Sequence, residues 1–202
     1  MIDAPLSAVP FLPELRLHQA ATHVGLFDGG YHSDEPPPFW AFAWPGGVAL
    51  ARHVLDHPET VAGLRVLDLA AGSGVVAVAA ALAHACRVRA TDVDRIAIQA
   101  VRSNAEANGV IIEAECVDVL DDETADSDVV LVGDGFYTQA MANRMMRFLR
   151  RCADAGKLVL VGDPDRKFMP RKHFTALARY DVPVRPALED VTVKPTTVWR
   201  LR

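Results

Sequence analysis

At 202 residues, 50% of them hydrophobic, the chain is long enough for one domain with a substantial core and cramped for two. No apolar run has the length of a membrane span, and Met1-Ile-Asp-Ala-Pro5 lacks a basic stretch leading into an apolar one, so a soluble cytoplasmic protein is expected. The net charge is -5, and the three cysteines, Cys86, Cys116 and Cys152, have neither disulfide nor zinc spacing and read as buried small hydrophobes.

In chain order, Glu35-Pro-Pro-Pro38 is a stiff extended stretch. It leads into Phe39-Trp-Ala-Phe-Ala-Trp-Pro-Gly-Gly47, which holds two of the three tryptophans. These aromatics form either a lid over a cofactor and substrate channel or a cover for a sheet edge. Helices are predicted near 46 to 56, 74 to 84, 94 to 108, 138 to 152 and 171 to 180. Strands are predicted near 65 to 69, 86 to 91, 111 to 117, 128 to 132, 157 to 162, 182 to 190 and 196 to 201. The first five strands alternate with helices or short crossovers, as a parallel doubly wound sheet requires, and the last two should close an antiparallel hairpin. The expected fold is therefore α/β, a doubly wound Rossmann-like sheet of seven strands. It is read as one domain over 1 to 202, with 1 to 60 a helical and aromatic lead-in and 61 to 202 the cofactor-binding core.

Val66-Leu-Asp-Leu-Ala-Ala-Gly-Ser-Gly74 carries the most chemistry. An apolar strand runs through Asp68 into a glycine loop and an alanine-rich helix, the point at which a parallel sheet binds ligands. Gly72 and Gly74 allow close approach and positive φ, and the helix offers free N–H groups. Eighteen residues beyond Gly74 the next strand ends at Asp92, the distance expected of a carboxylate that binds ribose hydroxyls. Gly72-Ser-Gly-Val-Val-Ala77 also fits the dinucleotide pattern G-x-G-x-x-A. A pyrophosphate is repelled by Asp68, however, whereas the ammonium and sulfonium of S-adenosylmethionine are attracted by it. Asp68 as a plain capping or turn carboxylate is the structural alternative.

Asp118, after the third strand, stands where an adenine amino group is read in such an architecture, beside Val119. The fourth strand ends in Gly133-Asp-Gly-Phe-Tyr137, placing Asp134 and Tyr137 where a reactive methyl would lie. An acid and a phenol there can orient an amine, and Asp134 is the candidate to carry away its proton. A lysine must first lose that proton, since its ordinary pKa is about 10.4. Met141 to Tyr180 carries ten basic residues against three acidic ones, read as a solvated helix face or as a docking surface for an acidic protein. The few aromatics there make no stacking series for nucleic acid. His53 and His57 lie one helical turn apart without a third ligand, and no metal site is expected. Oligomeric state is open.

The chain resembles the seven-β-strand S-adenosylmethionine-dependent methyltransferases, and within them the family that methylates lysines of the electron transfer flavoprotein β subunit. The likeness runs from about Arg16 to Arg202. It is carried by the aromatic segment 39 to 47, the glycine loop 66 to 74, Thr91-Asp-Val-Asp94, Asn104-Ala-Glu-Ala-Asn108, Gly133-Asp-Gly-Phe-Tyr137 and Val161-Gly-Asp-Pro-Asp-Arg166. The resemblance implies S-adenosylmethionine bound by Asp68, Ala70, Gly72, Gly74, Asp92, Val93, Asp118, Val119 and Asp134, with Trp44 bordering the pocket. It further implies Asp134 and Tyr137 as catalytic residues facing a lysine of a protein substrate, with neither metal, nucleic acid nor membrane. A small-molecule N-methyltransferase and a non-catalytic cofactor-binding module are the alternatives. Ala70 departs from the pattern Asp-x-Gly-x-Gly-x-Gly, and is accommodated without strain if its φ is negative. The Asp163 to Arg166 turn either orients substrate or is a structural turn.

Overall fold

The computed structural model describes residues 4–20, 38–123, 126–185 and 191–202. Strands β1 (Leu6–Val9) and β2 (Leu12–His18) form an antiparallel hairpin apart from the main sheet. There follow α1 (Pro45–Asp56), β3 (Arg65–Leu69), α2 (Val75–Leu82), β4 (Arg87–Asp92), α3 (Arg95–Ala107) and β5 (Glu113–Cys116). Then come β6 (Val129–Gly133), α4 (Gln139–Asp154), β7 (Leu158–Asp163), β8 (Phe174–Pro183) and β9 (Val193–Leu201).

The seven-stranded sheet has the order β5-β4-β3-β6-β7-β9-β8. The first five strands are parallel, and β9 runs antiparallel to both β7 and β8. The seven-strand α/β fold with its closing hairpin is as expected. Period-two alternation sends neighbouring strand residues to opposite faces: Val66 joins the core under α1, α2 and α3, whereas Leu67 joins the core under α4. Helix α2 is alanine-rich and buried from Val75 to Ala80, which lets it lie close against α1.

Two helices cap themselves: Asp94 accepts from Ile96 N at 2.7 Å to start α3, and Thr138 accepts from Met141 N at 3.1 Å to start α4. The other two, α1 behind Trp44 and α2 behind Gly74, have no side-chain cap of their own. Both are served by carboxylates from strand ends, and this builds the site.

Several expectations are corrected. The segment 171 to 180 is not a helix: Arg171–His173 is one 3-10 turn and β8 follows. Pairing with β9 along its whole length overrides the helix propensity of its alanines and leucine, and a bulge at Leu177 resets the alternation so that Tyr180 and Val182 face inward. The strand expected over 182 to 190 is the end of β8, and 186 to 190 lie outside the described residues, as do Glu35 to Pro37. The β1–β2 hairpin was not anticipated. Only Cys152 is buried; Cys86, just before β4, and Cys116, on the edge strand β5, are exposed. No helix among the described residues is long and apolar enough to cross a membrane.

Candidate active site

The strand order turns between β3 and β6, and a cavity of about 580 Å³ opens there at the C-terminal ends of the parallel strands. One side of it is the glycine loop. Asp68 is buried, and its Oδ2 accepts from Ala77 N at 2.9 Å, capping α2 from the strand that precedes it. Asp92 accepts from Gly72 N at 2.9 Å through Oδ2 and from Asp94 N at 3.0 Å through Oδ1, which pins the loop to the end of β4. Asn104 is fully buried: its Nδ2 donates to Ser73 O at 2.8 Å while its Oδ1 accepts from His18 N at 2.7 Å. One turn on, Asn108 pairs with both backbone groups of Arg16. The two asparagines of the 104 to 108 motif therefore splice the hairpin edge to α3 and hold the loop, a role the sequence reading did not assign.

Ala70 has φ of +56°. The condition of a negative φ is not met, and its Cβ makes this left-handed position strained by about 1–2 kcal/mol. Burial pushes the Asp68 carboxyl up to about 8, against the Ala77 hydrogen bond, with the Asp92 charge adding to the rise. Burial likewise raises Asp92, opposed by its backbone donors. Among the described residues no cation offsets the rise of these two adjacent carboxyls, which is the electrostatic demand that the ammonium of an amino-acid-bearing cofactor satisfies. Burial also pushes Asp118 up, but the Arg144 hydrogen bond at 2.9 Å, the Leu120 amide and the Arg144 charge outweigh it and hold it below its usual range.

The opposite side is built from three segments distant in sequence. Asp134, at the end of β6 with φ of +54°, accepts from Gly46 N at 2.5 Å and Gly47 N at 3.2 Å through Oδ2, capping α1. Its Oδ1 accepts from Arg166 Nε at 3.1 Å and Nη2 at 2.9 Å. Arg166 is itself placed by Asp163, whose Oδ1 accepts from Arg166 N at 2.8 Å across the turn beyond β7. A Cβ on Gly46 would stand 2.4 Å from both Asp134 Oδ2 and Gly162 O, so α1 enters this seam only because no side chain is there. Asp163 is wholly buried and its Oδ2 has no partner among the described residues. Burial pushes it up to about 7, with the Arg166 amide opposing and the Asp134 charge assisting.

Aromatic rings line the mouth. Phe39 lies 5.9 Å from Trp44 and 5.7 Å from the half-exposed Tyr137, centroid to centroid, and Trp44 Nε1 donates to Phe39 O at 2.8 Å. The Arg166 guanidinium carbon sits 5.9 Å from the Trp44 ring centre. Phe39, Trp40 and Trp44 thus wall the cavity.

Of the expected residues, Trp44, Asp68, Ala70, Gly72 and Asp92 line this one cavity. So do Val93, Asp118, Val119, Asp134 and Tyr137. Gly74 does not; with φ of +76° it shapes the turn from behind, where a Cβ would meet Val101 at 3.1 Å. Arg166, at the end of the turn singled out in the sequence, joins the cavity; the Gly46 and Gly47 amides are the elements missed, and the absent N-cap before Pro45 was the signal for them. The basic stretch divides. Arg144 pairs with Asp118 and Asp121, Arg171 with Asp165 and Arg166 with Asp134, while Arg151 donates to backbone carbonyls. Among the described residues no group of histidines, cysteines and acids could hold a metal.

The sequence model of the family described as ribosomal protein L11 methyltransferase (PrmA) matches residues 50–154. The electron transfer flavoprotein beta subunit lysine methyltransferase of Danio rerio is 39% identical, over 82% of this chain and 66% of that one. Its counterpart from Xenopus laevis is 37% identical, over 80% and 68%. The chain thus spans about two-thirds of the length of these relatives. Among solved structures, the ribosomal protein L11 methylase from Lactobacillus delbrueckii subsp. bulgaricus superposes with a TM-score of 0.57 at 18% identity, over 84% of this chain and 92% of that one, a likeness of fold.

Proposed function

This chain belongs to the electron transfer flavoprotein β subunit lysine methyltransferase family, and we propose that it methylates a lysine ε-amino group of that flavoprotein subunit with S-adenosylmethionine as donor. The observation that carries the reading is the meeting of two half-sites in one cavity: the buried carboxylates around the glycine loop and the Asp134, Tyr137, Phe39 and Trp44 cluster facing them.

The residues present fit the cofactor. Asp68 and Asp92 supply negative charge that burial leaves uncompensated. Gly72 leaves space open, with nothing within 4 Å of where a Cβ would stand. Asp68 serves the ammonium, Asp92 the ribose hydroxyls, and Asp118 with Val119 the adenine edge. When bound, S-adenosylmethionine supplies a methyl group activated on a cationic sulfur. The chain positions an amine for in-line attack, excludes water with Phe39, Trp44 and Tyr137, and aims the amine past Asp134. Burial raises the Tyr137 phenol, with the Asp92 charge assisting, so it stays protonated as a hydrogen-bond donor.

Incubation with labelled S-adenosylmethionine and the flavoprotein β subunit should label a lysine of the subunit, located by mass spectrometry, and Asp134→Ala should abolish the label. Undiminished labelling by Asp134→Ala removes Asp134 from the catalytic set; absence of lysine label with the wild-type protein removes the acceptor assignment.

A further inference from the structure

Both oxygens of Asp134 are occupied. A carboxylate has about four lone-pair positions. The Gly46 and Gly47 amides take two and the Arg166 guanidinium the other two. The positive end of α1 adds to the guanidinium charge. A lysine ammonium arriving beside Tyr137 therefore meets a carboxylate already neutralised, next to a cation.

We propose that Arg166 sets the protonation state of the acceptor: by keeping Asp134 paired it denies the ammonium a counter-ion, so the site seats lysine as the neutral amine. The inference rests on the lysine-acceptor reading above and deepens it. The proton passes to solvent as the amine seats. The amine lone pair then forms the N–C bond while the C–S bond breaks and its electron pair remains on sulfur, and the positive charge ends on the methylated nitrogen. In this scheme Asp134 orients and Arg166 selects, and proton removal precedes transfer without a dedicated base.

Among the described residues, charged and titratable groups from several elements face the pair. The Gly46 and Gly47 amides come from α1, Asp163 and Asp165 from the end and turn of β7, and Tyr137 from the segment after β6. Asp163 is the one that titrates near neutrality, and Asp163→Asn keeps an acceptor for the Arg166 amide while removing that titration.

The test uses the full chain loaded with S-adenosylhomocysteine. Titration calorimetry of the flavoprotein β subunit into it at pH 8, in buffers of different ionisation enthalpy, should show close to one proton released per acceptor bound. Arg166→Met should release close to none, because the orphaned Asp134 now holds the ammonium. The acid limb of kcat, which reports the seated amine, should move up by on the order of one to two pH units. Arg166→Gln, which retains amide donors without charge, should behave as Met does, and Arg166→Met combined with Asp134→Asn should restore the proton release in calorimetry. Asp163→Asn should leave the limb where it is. Either neutral variant that binds S-adenosylhomocysteine normally yet still releases the proton overturns the proposal, as does loss of the limb in Asp163→Asn. A wild-type protein that transfers no methyl to lysine fails the underlying reading instead.

Discussion

Replacing Gly46 by alanine probes the seam on which the acceptor side depends. The new Cβ would stand 2.4 Å from Asp134 Oδ2 and 2.4 Å from the Gly162 carbonyl, and neither is the tip of a flexible chain. Opening these contacts to about 3.4 Å moves α1 by about 1 Å, and the 2.5 Å Gly46 hydrogen bond stretches to the edge of its range. Overpacking costs about 1–3 kcal/mol, and weakening a hydrogen bond to a charged group about 2 kcal/mol. Against this stands a helix-propensity gain of up to about 1 kcal/mol. The net is a destabilisation of about 3 kcal/mol, which for a domain of this size lowers Tm by roughly 6–12 °C. Gly47→Ala is the internal control: its Cβ meets the Val75 Cγ1 methyl at 3.0 Å and the Val76 Cγ2 methyl at 3.8 Å, both side-chain methyls, so it should cost under about 1 kcal/mol. Urea unfolding of both variants, analysed by linear extrapolation, gives the comparison directly. A Gly46→Ala protein within about 1 kcal/mol of wild type, or two variants equally destabilised, refutes the assignment of Asp134 as the anchor of α1.

Ala70→Gly should relieve about 1–2 kcal/mol of left-handed strain against about 0.4–1 kcal/mol of added chain entropy, for a net gain of about 0.5–1 kcal/mol by the same urea assay; clear destabilisation contradicts the strain. Asp68, raised from 3.8 to about 8, binds a proton in the folded state that the unfolded chain has lost, so it subtracts stability as pH rises from about 4 to about 8. Asp68→Asn should flatten that slope while sharply weakening S-adenosylhomocysteine, whose wild-type affinity should rise with pH over the same window in calorimetry. His173 is lowered by desolvation and then by the charges of Arg150, Lys172 and Arg202, so Arg150→Glu should move its NMR titration upward; an unmoved titration removes the Arg150 contact.

The cofactor side was legible because its parts are local: Asp68, the glycines and Asp92 fall within one strand, loop, helix and strand unit, where spacing alone places them. The acceptor side was legible only as separate motifs. Trp44 to Gly47, Gly133 to Tyr137 and Gly162 to Arg166 each stood out, but their mutual fit is tertiary. No pattern in one segment says that Asp134 caps a helix begun 88 residues earlier or that Arg166 takes its other oxygen. The capless starts of α1 and α2 were a readable hint. The Leu15, Leu17 alternation of β2 was another, and the left-handed Phe11 in its turn was hidden. At β8, local helix preference pointed one way and an available edge on β9 another, and pairing decided the outcome.

The seam among Gly46, Asp134, Gly162 and Arg166 also dictates an order of assembly. The cofactor side is complete in the chain by Val119 and can close around β3, β4 and β5 while the polypeptide is still being made. The acceptor side waits for residues some 120 positions beyond α1, contacts of high sequence separation that form late. A nascent or truncated chain ending before β7 would therefore acquire its donor-binding loop well before any means of presenting a lysine to it.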